Sequence, residues 1–177
     1  MVNFITAALL ILFAAFSRII PHPANFTSVA AIALFSGVYL DKKYAFIIPV
    51  AAMLISDLII GFHSQMIWVY GSFLVIVFLG FWLKSRNTGT AGKRVGYILG
   101  TTILSSILFF AITNFGVWAS GYYGLDLKGL AESYVLAIPF FRNTIAGDLI
   151  YVTAMFGVYE VIKHYTRSAV LSESKIK

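Results

Sequence analysis

The chain has 177 residues, of which 60% are hydrophobic and only 11% charged, with a formal net charge of +6 and a mean hydropathy of +0.89. Soluble domains carry roughly a quarter charged residues, so this composition excludes an ordinary soluble protein and indicates a single integral membrane domain. With no cysteine, it also excludes disulfides, thiolate metal sites and cysteine nucleophiles.

Six apolar runs predict spans at about Asn3–Ile20, Phe26–Leu40, Tyr44–Phe62, Met66–Leu83, Val95–Trp118 and Asn143–Ile162. The first lacks the basic start and the cleavage site of a signal peptide, so it is kept as a span and no targeting segment is expected to be removed. The second is short against the roughly 20 residues that cross a bilayer. It either tilts little and extends through its flanks or forms a re-entrant hairpin with the third.

Between the first two spans lies "PHPANFT", where Pro21 and Pro23 withhold two amide donors and stop the helix. A stiff rim is expected there, with Asn25 and Thr27 capping or starting the second span and His22 aimed at a pocket mouth. Between the fifth and sixth spans, Leu127, Leu130, Ala131, Tyr134, Val135 and Ile138 recur at helical spacing opposite Lys128, Glu132 and Ser133. They predict a short amphipathic helix, either a lid or an interfacial brace. The expectation is one six-helix domain over 1–177, ending in a basic tail, 163–177.

Placing the N-terminus inside puts Lys42, Lys43, Lys84, Arg86, Lys93, Arg94, Lys163, Arg167, Lys175 and Lys177 on the cytoplasmic side, ten of the thirteen basic residues. Only Arg18, Lys128 and Arg142 remain outside, which is the positive-inside signal and accounts for the net charge without nucleic acid. The protein is thus expected in a bacterial inner membrane with both termini cytoplasmic. The loop "KSRNTGTAGKRVG" has a lysine after a glycine, but Asn87 and Arg94 stand where a P-loop needs Gly and Ser or Thr. The chain is not expected to use ATP itself.

The polar residues of chemical interest fall on the outer side. Asp57, Asn114 and Asp148 lie inside spans, where ionisable groups need partners or a wet cavity. Arg18 and Arg142 stand at a similar level, so the charges either clamp helices together or meet a ligand. "RNTIAGD" places Asn143, Gly147 and Asp148 in the first turns of the last span, where small groups leave space for a ligand. His22 and His63 are weak candidates for a metal, and no resident cofactor is expected. Trp118 and its aromatic neighbours either anchor the interface or wall a pocket for a flat ligand. The candidate substrate-binding set is therefore Arg18, His22, Asn25, Asp57, His63, Asn114, Trp118, Arg142, Asn143 and Asp148.

"RIIPHPANFTSVAAIALFSG", "ISDLIIGFH", "ITNFGVW" and "IPFFRNTIAGDLIY" resemble a group of bacterial membrane proteins of unknown function that lies near the substrate-binding S components of energy-coupling factor transporters. The resemblance implies an all-α, six-span fold and capture of a vitamin-like micronutrient from outside. It also implies partners, a T component and two ATPases, docked through an Ala-x-x-x-Ala pattern on the first span. Here Ala7, Ala8, Ala14 and Ala15 lack that spacing, and the nearest equivalent is Ala33 with Gly37 on the second span. Solitary relatives that handle cobalamin use a cysteine on the cobalt, which this chain cannot supply. A reading of another class is an intramembrane enzyme using Asp57, His63 and Asp148 as acid, base or metal ligands, although no hydrolase or zinc motif is present. A third is an accessory subunit whose polar groups fasten helices to a partner.

Overall fold

The computed structural model describes residues 4–86 and 89–173, with side chains described for 6–86 and 89–165. Every regular element in these residues is a helix: α1 (Phe4–Ile19), α2 (Val29–Tyr39), α3 (Lys42–Ile60), α4 (Met66–Ser85), α5 (Ala91–Ala119), α6 (Leu127–Val135) and α7 (Ile138–Glu173). Four of them, α3, α4, α5 and α7, are long and apolar enough to cross a bilayer, and α1 and α2 are shorter apolar helices. Large side chains such as Leu58, Ile67, Phe78 and Ile150 point outward, more than half exposed. An exterior of this kind belongs in lipid, and by length and composition this is a membrane protein.

The centre of the bundle is α2. Ten of its eleven residues are buried, because α3, α4, α5, α7 and α1 all pack around it. A helix that is apolar on every side is buried on every side. The closest approach is to α4: a β-carbon on Gly37 would lie 2.3 Å from the Val77 carbonyl oxygen, and one on Gly80 would lie 2.5 Å from that of Leu34. Only glycine allows the two backbones this contact, the small-residue mode of helix packing in membranes. The Ala33–Gly37 pair therefore serves helix packing inside the bundle and offers no outward docking surface.

At about 1.5 Å per residue, α2 is roughly 16 Å long, half the hydrocarbon thickness. The chain reaches it through an irregular segment after α1. Phe26 donates its amide to the Pro23 carbonyl (2.9 Å), and Asn25 has φ +63°, a left-handed conformation that asparagine tolerates better than most residues. Asn25 is thus a turn residue and not the expected cap. The N-cap is Ser28, whose hydroxyl lies 2.8 Å from that of Ser17 and whose amide donates to Ser17 Oγ at 3.2 Å.

The last helix also departs from expectation. It begins at Ile138, with Pro139 in the first turn, where a missing amide costs nothing. Asp148 therefore stands about ten residues in, much deeper than the turn and a half expected. The predicted tail is a continuation of the same helix as far as Glu173, and Lys175 and Lys177 lie outside the described residues. The amphipathic helix is present as α6, although Ile138 belongs to α7. Asp126 caps α6 by accepting the Gly129 amide at 2.7 Å. Gly129 and Ser133 face the protein, whereas Leu127 and Val135 point outward at 84% and 59% exposure. The outer side of α6 thus carries both these apolar residues and Lys128, whose side chain is 82% exposed, while Tyr134 turns toward α5.

Candidate functional site

The ends of α1 and α3, the loops that follow them, Ala30 of α2 and the flanks of α4, α5 and α7 line a cavity of about 340 Å3, within the range of small-molecule sites. Arg18, His22, Asn25 and His63 contribute to its wall, and Asp148 lies at one side. Thr27 and Thr144 add hydroxyls, while Phe73 and Phe109, stacked at 5.3 Å between centroids, add an aromatic surface. The irregular entry to α2 forms part of this wall. The backbone between α1 and α2 is therefore non-helical where it borders the cavity.

One face of α7 holds that entry segment in place. Asn143 donates its side-chain amide to the Ala24 carbonyl at 3.1 Å. A turn further on, Gly147 sits against Phe26, where a β-carbon would lie 3.3 Å from its backbone and ring. Another turn on, Tyr151 meets the Phe26 ring at 5.7 Å. These residues are spaced by four and share a stripe. Asn143 is thus a tether for the rim, and the space expected beside Gly147 is filled by Phe26. The neighbouring stripe, Thr144 and Asp148, lines the cavity.

The two aspartates have different surroundings. Asp57 is fully buried and receives Arg18 Nη1 on Oδ1 at 2.7 Å and the Tyr70 hydroxyl on Oδ2 at 2.8 Å. Arg18 also donates to Ser56 Oγ. Both oxygens are occupied, and the group fastens α1, α3 and α4; Asp57 itself does not line the cavity. Asp148 is 3% exposed and accepts one hydrogen bond, from Ser106 Oγ to Oδ2 at 2.7 Å. Among the described residues no cation pairs with it.

Other members of the expected set lie elsewhere. Asn114 is buried and donates to Phe110 O of its own helix at 2.7 Å. The Trp118 indole donates to the Asp126 carbonyl at 3.1 Å, fixing the turn into α6. Arg142 is exposed on the outside of α7 and makes no ion pair among the described residues. Nor does α6 cover the cavity. It docks on α5 through the Tyr134 hydroxyl on Ala111 O (2.7 Å) and the Phe110 ring, in the position of a brace.

Among the described residues no three His, Asp or Glu side chains converge in a way that could hold a metal. Asp57, His63 and Asp148 are not gathered into one centre. The Nδ1 of His22 lies 2.6 Å from the Ile20 carbonyl, a contact in which that nitrogen is the donor. Sequence reasoning missed Ser106, Thr144, Phe73 and Phe109. The run "TTILSSILFF" did carry a signal for the first, since paired hydroxyls in the middle of a span call for a packing or polar partner.

The chain belongs to a family of unknown function, DUF6580, whose profile matches residues 1–170. No curated protein and no solved structure matches it.

Proposed function

We propose that this protein is a six-span membrane carrier that captures a small organic micronutrient at the extracytoplasmic face and moves it across the bacterial inner membrane. The observation that carries this reading is the cavity, walled by the irregular entry to α2 and containing a buried carboxylate that pairs with no cation among the described residues. Substrate sites of transporters are commonly built where a membrane helix is interrupted. Both termini are then cytoplasmic, α6 lies along the outer surface, and α1 and α2 complete the six spans. The likeness to S components of energy-coupling factor transporters extends this reading to a T component and ATPases, which would supply the energy that the chain has no P-loop to harvest. Any such partner must dock on a surface other than Ala33 and Gly37, because those residues are buried against α4.

Mass spectrometry of protein extracted gently from its native membrane tests the reading directly. A bound small molecule that dissociates on unfolding, with or without co-purified subunits, is the expected result. A preparation that carries none, and gains no thermal stability from any member of a micronutrient library, would remove it. Orientation is tested separately by single cysteines. Replacements at Ser64 and Ser120 should react with an impermeant thiol reagent in intact cells, and one at Ser85, at the opposite end, should not.

A further inference from the structure

Charge balance around the cavity narrows the class of ligand. Its wall contains one permanent cation, Arg18, and that charge is already matched by Asp57 at 2.7 Å. Asp57 in turn has both oxygens occupied, by Arg18 and by Tyr70. Asp148 is the one carboxylate on the wall, which His22 and His63 also line; it is 3% exposed, accepts the Ser106 hydroxyl and, among the described residues, pairs with no cation. A carboxylate so far from water is costly unless an opposite charge reaches it or it takes up a proton. The same cavity presents Phe73 and Phe109, stacked with ring planes at 29°. Aromatic faces attract a desolvated cation and accommodate a flat apolar body. Thr27, Thr144 and Asn25 add neutral groups that can hydrogen-bond to the rest of a guest.

We propose that the cavity selects an organic monocation, a protonated or quaternary amine on a compact body, with its charged head held between Asp148 and the faces of Phe73 and Phe109. This rests on the cavity being the capture site. A neutral or anionic guest would leave the buried Asp148 uncompensated, and an anion would in addition meet it as a like charge. Arg18 offers an anion little, since its charge is spent on Asp57 and its position is fixed by Ser56.

Binding of three probes of similar size to the purified full-length protein decides the matter: benzyltrimethylammonium, neutral benzyl alcohol and anionic phenylacetate, followed by calorimetry and thermal shift. The cation should bind at least about tenfold more tightly than the other two, the scale of one charge-assisted contact. Asp148→Asn keeps the shape and an oxygen for Ser106, and it should remove that preference. Should this variant fail to fold, Phe109→Leu should weaken the cation by about three- to tenfold and leave benzyl alcohol nearly unchanged. Equal binding of all three probes, preference for phenylacetate, an unaltered preference in Asp148→Asn, or equal losses for cation and alcohol in Phe109→Leu would each overturn the charge class while leaving the cavity as a site. If none of the probes binds and no small molecule co-purifies with the protein, the capture site fails and the charge class falls with it.

Discussion

Each end of the bundle joins three helices through an arginine, a carboxylate and a tyrosine, at very different depths. At the cavity end, Arg18, Asp57 and Tyr70 join α1, α3 and α4, with Asp57 fully buried. At the other end, Arg94, Glu160 and Tyr39 join α5, α7 and α2 through contacts of 2.8–2.9 Å, and Lys163 adds a longer approach of 4.0 Å to the same carboxylate. The Arg94 and Glu160 side chains are 39% and 41% exposed. Short contacts of equal quality therefore need not carry equal energy. A half-exposed pair is screened by solvent and its partners find water when separated. A buried carboxylate that loses its cation has nowhere to turn.

Three substitutions sharpen that contrast. The largest effect is expected for Arg18→Ala, which strands the Asp57 charge; breaking a buried pair from one side costs roughly 3–5 kcal/mol. Reversible unfolding in detergent should show a large loss, and a variant as stable as the parent would show that Asp57 finds water or a proton instead. Tyr70→Phe removes one donor from Asp57 and should cost about 1–3 kcal/mol, the penalty of an unsatisfied buried acceptor. Glu160→Gln should cost least, about 0–1 kcal/mol after solvent screening. If Glu160→Gln proves as damaging as Arg18→Ala, depth does not separate the two clamps and the comparison fails.

Asp148 belongs to neither clamp, which is why the proposed binding role falls to it. Its substitution by Asn should leave unfolding little changed while altering what the cavity binds. The same experiment on Asp57 should do the reverse.

Much of this was legible in the sequence because apolar runs and prolines act locally. The start of α4 coincides with the expected Met66, and the break before α2 follows from Pro21 and Pro23. The depth of Asp148 was misjudged because "IPFF" reads equally well as loop or as a helical first turn; the packing of Phe141 on Phe110 at 4.6 Å goes with the helical outcome. Partnerships across helices were less visible. That Asp57 would take Arg18 and Asp148 would not take Arg142 depends on which faces of α1 and α7 turn inward. Gly147 looked like room for a ligand because nothing in its own segment says that Phe26 will occupy the space. Burial of α2 was hidden for the same reason: an all-apolar helix reads alike whether its neighbours are lipid or protein.

The glycine contact between α2 and α4 has a consequence for biosynthesis. The surface that α2 fits through Gly37 does not exist until the ribosome has reached Gly80. Until then the nascent chain holds an eleven-residue apolar segment too short to cross the bilayer unaided, preceded by backbone whose polar groups depend on later helices for shelter. The contact that seats α2 at the centre of the bundle therefore becomes available only once α4 has been made, although α2 precedes it in the chain.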